Sequence, residues 1–134
     1  MDNKAIKKPV SETFEASDSF KGLPEVTDIH YDLWLLRITL RFQEIDNPVY
    51  VTFDAPKGFR VLEEGDLLEF WSNDSRPKGW LWVVKSGGWY DLEKNRSGFV
   101  SGVTGVYSEY LILGESECVS VITDNEPVIT EPKP

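Results

Sequence analysis

Between Asp32 and Gln43, apolar residues return at every second position. Trp34, Leu36, Ile38, Leu40 and Phe42 fall on one face, and Arg37, Thr39, Arg41 and Gln43 on the other with Leu33 and Leu35. Successive side chains of extended backbone point to opposite faces, so period two over a long run marks a half-buried β-strand. The even-numbered set is therefore expected in a core. Glu44-Ile45-Asp46-Asn47-Pro48 carries turn chemistry. Val49, Val51 and Phe53 then alternate with Tyr50, Thr52 and Asp54, and the pair reads as an antiparallel hairpin.

The same reading extends along the chain. Ala55-Pro56-Lys57-Gly58 is a break. Phe59, Val61 and Leu62 suggest a short strand, Gly65 a turn, and Asp66 to Trp71 a second strand, with room for one short helix near 57–64. Trp80-Leu81-Trp82-Val83-Val84 is the most apolar run and fits a central strand. Gly87-Gly88 suggests a hairpin turn or bulge before Trp89-Tyr90. Residues 94–105, rich in Gly and Ser, read as a flexible loop, and Tyr107–Leu113 and Cys118–Ile122 as a closing hairpin. No sustained helical period appears, and many short strands between turns favour a small barrel or sandwich. The expected fold is all-β: a single antiparallel small barrel or bent sheet, with little helix. Residues 1–25, polar apart from isolated Phe14 and Phe20, read as a disordered arm. Residues 26–123 hold the domain, and 124–134 form a proline-rich acidic tail.

Within this stretch, Phe59-x-Val61-Leu62-Glu63-Glu64-Gly65-Asp66-Leu67-Leu68-Glu69-Phe70-Trp71, followed by Gly79-Trp80-Leu81-Trp82-Val83, resembles the middle of an SH3 domain. In that family an apolar residue and a Gly-Asp turn precede an apolar strand and then a Trp-bearing strand. Gly98-Phe99-Val100 and Tyr107 stand where the family has its closing step, so the resemblance spans about residues 59–107. Ser101 stands where a Pro is expected, and the long strand before residue 44 is additional. The resemblance implies an SH3-like small β barrel.

Charge narrows the partners. The formal net charge is −9. That sign opposes a phosphate backbone and an anionic bilayer, and suits a basic protein, since complementary charge speeds encounter. A lone cysteine, Cys118, no signal-peptide pattern behind the N-terminal lysines and no long apolar run point to a cytoplasmic protein.

Several constellations invite chemistry. Glu63, Glu64, Asp66 and Glu69 cluster with Asp74, yet no Ca²⁺-loop pattern accompanies them, so a solvated or partner-docking acidic face is the better reading. Trp80 and Trp82 share a face if their strand is regular. With Trp89 they either fill the core or form a stacking platform for a sugar or proline-rich peptide. His30, the one histidine, and Cys118 would have to meet in space to form a nucleophilic pair. Zinc spacing, a phosphate-binding loop and a dinucleotide fingerprint are all missing. The expectation is a non-catalytic acidic protein-binding domain without metal or cofactor, of the immunity-protein or inhibitor type. Its contact residues would be Glu63, Glu64, Asp66, Glu69 and Asp74, with Trp71 and Tyr90 as aromatic anchors.

Overall fold

Strand chemistry dominates the computed structural model, which describes residues 8–71, 76–99 and 105–132. Its strands are β1 (Val10–Thr13), β2 (Glu25–Tyr31), β3 (Leu35–Arg41), β4 (Val49–Asp54), β5 (Gly58–Glu63), β6 (Leu81–Ser86), β7 (Ser108–Leu113), β8 (Glu117–Thr123) and β9 (Val128–Thr130). Two short helices, α1 (Leu68–Trp71) and α2 (Trp89–Lys94), join them.

The strands form two antiparallel sheets, ordered β1-β6-β7-β8-β5 and β2-β3-β4-β9, which do not close into a barrel. One core lies between the sheets. Leu36, Ile38, Leu40, Val49, Val51 and Phe53 come from the smaller sheet, and Leu81, Tyr110, Ile112, Val119 and Val121 from the larger. The predicted hairpin is β3–β4, with Leu35 opposite Asp54 and Leu40 opposite Val49. A second cluster lies on the outer face of the larger sheet. There Trp82, Val84, Leu111, Leu113 and Cys118 are covered by Leu67 and Phe70. Because both faces of β7 and β8 are covered, these strands read as continuous apolar runs rather than alternating ones.

The structure departs from the sequence reading at identifiable points. Trp34 is not in the core; it is 77% exposed. The alternation stops at Leu36, because Asp32 Oδ1 accepts the N–H groups of Trp34 and Leu35 and turns the chain there. Leu33, in that turn, has φ of 81°. The segment from Asp66 to Trp71 is helical rather than extended. Leu67 and Phe70, three apart, are its buried pair, a helical spacing. Gly87-Gly88 opens α2 instead of a hairpin, with Gly88 as its N-cap. A Cβ on Gly88 would stand 2.7 Å from both Glu109 Oε1 and Val84 Cγ1.

The ends of the chain also take part in the fold. β1 pairs with β6, and Phe14 lies edge-on to Tyr110. Phe20 stacks on Phe42, while Trp80 Nε1–H donates to the carbonyls of Ser17 and Phe20. These aromatics make residues 8–25 part of the molecule rather than a polar arm. β9, within the proline-rich stretch, pairs with β4. Residues 1–7 and 133–134 lie outside the described residues.

Candidate functional site

Four places on this scaffold bring chemistry-bearing side chains together. The first is an acidic rim at one end of the larger sheet. Glu63 ends β5 and faces Glu117 directly across the ladder. Glu64 and Asp66 follow in a 3-10 turn, and Glu69 sits in α1. Glu63, Glu64, Asp66 and Glu69 are exposed, and among the described residues no Lys or Arg forms an ion pair with them. Like charges directly opposed in a ladder are destabilising, so Glu63 and Glu117 are there at a cost to the fold. Asp74, the last carboxylate expected here, lies outside the described residues.

The proposed anchors are largely used internally. Trp71 is half-buried, lies edge-on to Trp82, and donates its Nε1–H to the Glu64 carbonyl at 2.7 Å. Arg76 covers the rings of both Trp71 and Trp82 and helps line a cleft of about 190 Å³ with Phe70 and Pro77. Tyr90 is away from this rim, in α2, with its ring edge-on to Phe99 and Tyr107. Trp80 and Trp82 are both fully buried and face opposite layers, because Trp80 precedes β6 and belongs to the inner core. A stacking platform built on that pair is therefore ruled out. Trp89 is half-buried, and the Arg60 guanidinium lies over its ring.

The third place was not foreseen. Glu109 on β7 is 1% exposed, and its two carboxylate oxygens accept the N–H groups of Trp89 (3.2 Å) and Tyr90 (2.8 Å). It thereby fastens the first turn of α2 to the outer face of the sheet. Burial pushes the Glu109 carboxyl up from its ordinary range, against the opposing pull of those N–H groups and Arg60. Arg60 is held down by its own desolvation, with Glu109, Glu69 and Glu93 opposing, and its Nε finds no partner among the described residues. A cleft of about 180 Å³ adjoins Glu109, lined by Tyr90, Asp91, Lys94 and Tyr107. A single glutamate at the start of an apolar strand gives no sequence signal for such a role.

The fourth place is the β2–β3 hairpin tip. Leu33 is 74% exposed beside Trp34, with partly exposed Tyr31 and Leu35 on either side of the turn, on opposite faces of the sheet. The Asp32 carboxyl is held below its usual range by the N–H groups of Leu35 and Trp34. Ala55 N–H donates to the Trp34 carbonyl at 2.7 Å, tying the tip to the β4–β5 turn. Sequence reading missed these residues by extending the alternation too far; Asp32 followed by a strand was the available sign of an Asx turn.

His30 and Cys118 do not meet. His30 is exposed on β2, whereas Cys118 is buried in the outer cluster of the other sheet, where desolvation raises its thiol pKa. Among the described residues no group of three or more His, Cys, Asp or Glu is placed to hold a metal ion. None of the described helices is long and apolar enough to cross a membrane. Compared with protein-family models, curated proteins and solved structures, the chain finds no match.

Proposed function

We propose that this chain is a non-catalytic, acidic protein-binding domain that docks on a basic protein, as an immunity protein or inhibitor does when it neutralises a toxin or nuclease. One observation carries the reading. Carboxylates accumulate at the rim with Glu63 set against Glu117, without a bridging cation among the described residues. That arrangement costs folding stability and favours a cationic partner. The buried carboxylate in the larger sheet supports a non-catalytic reading, because both its oxygens are engaged by backbone N–H groups.

The test is kinetic. A tagged chain recovers the partner from the native host, and association is then measured with wild type and with Glu63→Lys/Glu64→Lys. The double variant should associate more slowly at 0.1 M salt. The difference should shrink at 1 M, where the Debye length falls from about 10 Å to about 3 Å. Equal association rates at both salts, or a recovered partner that is itself acidic, would overturn the reading.

A further inference from the structure

We propose that the tip of the β2–β3 hairpin is the anchor of this domain: Leu33 and Trp34 insert into an apolar pocket edged by lysine or arginine on a protein partner. The proposal rests on the protein-binding reading and places the anchor at the end of the sheets remote from the acidic rim.

Three observations meet at the tip. The first is exposure. Leu33 and Trp34, adjacent in the turn, are 74% and 77% exposed, whereas Tyr31 turns toward the core-side face with its ring on Phe59, and Val10, Leu68 and Leu92 are exposed on separate elements. Contiguous exposed apolar surface marks an interaction site, and tryptophan is over-represented among residues that dominate binding.

The second is that the tip is held in shape at a conformational cost. Leu33 occupies the left-handed region, at φ of 81°, where glycine or asparagine would sit with less strain. Asp32 Oδ1 accepts two backbone N–H groups at 3.0 and 2.9 Å, and Ala55 N–H fixes the Trp34 carbonyl. A loop already rigid in one shape loses less entropy on binding. Nothing in the fold needs a leucine at that position, since its side chain is not buried.

The third is charge. Asp54 stands opposite Leu35 in the ladder, and Asn125 Nδ2–H donates to the Asp54 carbonyl, which brings Asp124 and Glu126 to the same end. Asp32 in the turn and Asp54 across the ladder thus put carboxylates beside the apolar tip, with Asp124 and Glu126 at the same end of the sheets, while Lys57 has its Nζ over the Tyr107 ring. Carboxylates around an apolar knuckle repel an anionic bilayer and a second copy of the same tip. They complement a pocket with a basic edge.

The experiment places a photo-crosslinking benzoylphenylalanine at position 33 in one full-length chain and at position 64 in another, in the native host. The basic protein crosslinked from position 33 is purified and titrated with wild type, Trp34→Ala and Leu33→Gly. The expected result is that Trp34→Ala weakens affinity by about 30-fold or more, mainly through faster dissociation, with melting unchanged. Leu33→Gly should weaken affinity while melting at or above the wild-type temperature, a pairing that damage to the fold would not give. Crosslinking from position 64 but not 33 overturns the anchor and leaves the basic-partner reading standing. Crosslinking from neither position overturns both. A position-33 adduct consisting of a second copy, confirmed by sedimentation equilibrium, overturns the proposal in favour of self-association. Cosedimentation with phosphatidylcholine vesicles that is lost in Trp34→Ala overturns it in favour of a lipid surface.

Discussion

Removing the Glu109 side chain tests the packing of α2 directly. In Glu109→Ala the N–H groups of Trp89 and Tyr90 lose their acceptor beneath the helix, and Arg60 loses one of the carboxylates that favour its charged form. Each of the two unmet donors costs about 1–3 kcal/mol. Together they give a total of about 3–5 kcal/mol, or roughly 10–20 °C in melting temperature for a chain of this size. Glu109→Gln separates charge from geometry. Its amide keeps one acceptor and does not titrate. Because burial raises the folded pKa of Glu109, the native state binds more protons than the unfolded chain above the ordinary glutamate range. The stabilising contribution of Glu109 is therefore complete below pH about 4.3 and is lost as pH rises through the folded pKa. The measurement is the melting temperature of wild type and Glu109→Gln from pH 4 to pH 8. The wild-type advantage should shrink with rising pH. A gap that widens with pH, or a Glu109→Ala variant melting with wild type, would refute the reasoning.

Other perturbations follow from the same contacts. Phe42→Ala removes a buried ring packed on Phe20 and Trp80 and should cost about 3–5 kcal/mol by chemical denaturation, whereas exposed Trp34→Ala should cost little. Deleting residues 1–20 takes away β1, Phe14 and Phe20, and should lower stability by about 5 kcal/mol or more; unchanged melting would show that β1 does not hold the sheet. Gly114→Ala forces a Cβ against the Glu117 carbonyl and places it 2.9 Å from Val26 Cγ2, so it should cost about 1–3 kcal/mol in the same assay.

The legible parts of the fold were those governed by local period. The β3–β4 and β7–β8 hairpins and the internal place of β6 follow from alternation, apolar runs and turn residues, all contained in short windows. The parts that were not legible depend on partners distant in sequence. Phe14 and Phe20 look isolated until Tyr110, Phe42 and Trp80 surround them. Trp80 and Trp82 look like one face until the strand is seen to begin at Leu81. The helix at Leu68–Trp71 is too short for a helical period to emerge. Of the expected contact residues, Glu63, Glu64, Asp66 and Glu69 are exposed, while Tyr90 belongs to a cluster with Phe99 and Tyr107.

Glu109, Glu63 and Leu33 each break a local rule, and how each break is resolved separates structural roles from binding roles. Glu109 is a carboxylate buried in a strand, and the structure accounts for it, since both oxygens serve the backbone of α2. Glu63 is set against Glu117, and no described cation relieves the pair. Leu33 takes a left-handed backbone with its side chain in solvent, and no buried contact repays the strain. Sequences that specify one structure satisfy such rules nearly everywhere, and violations left uncompensated by the fold concentrate at functional sites. By that argument Glu63 and Leu33, at opposite ends of the sheets, mark surfaces to which partner contact should be traced. They are distinguishable because one acts through charge and its salt dependence, and the other through an apolar anchor and its dissociation rate.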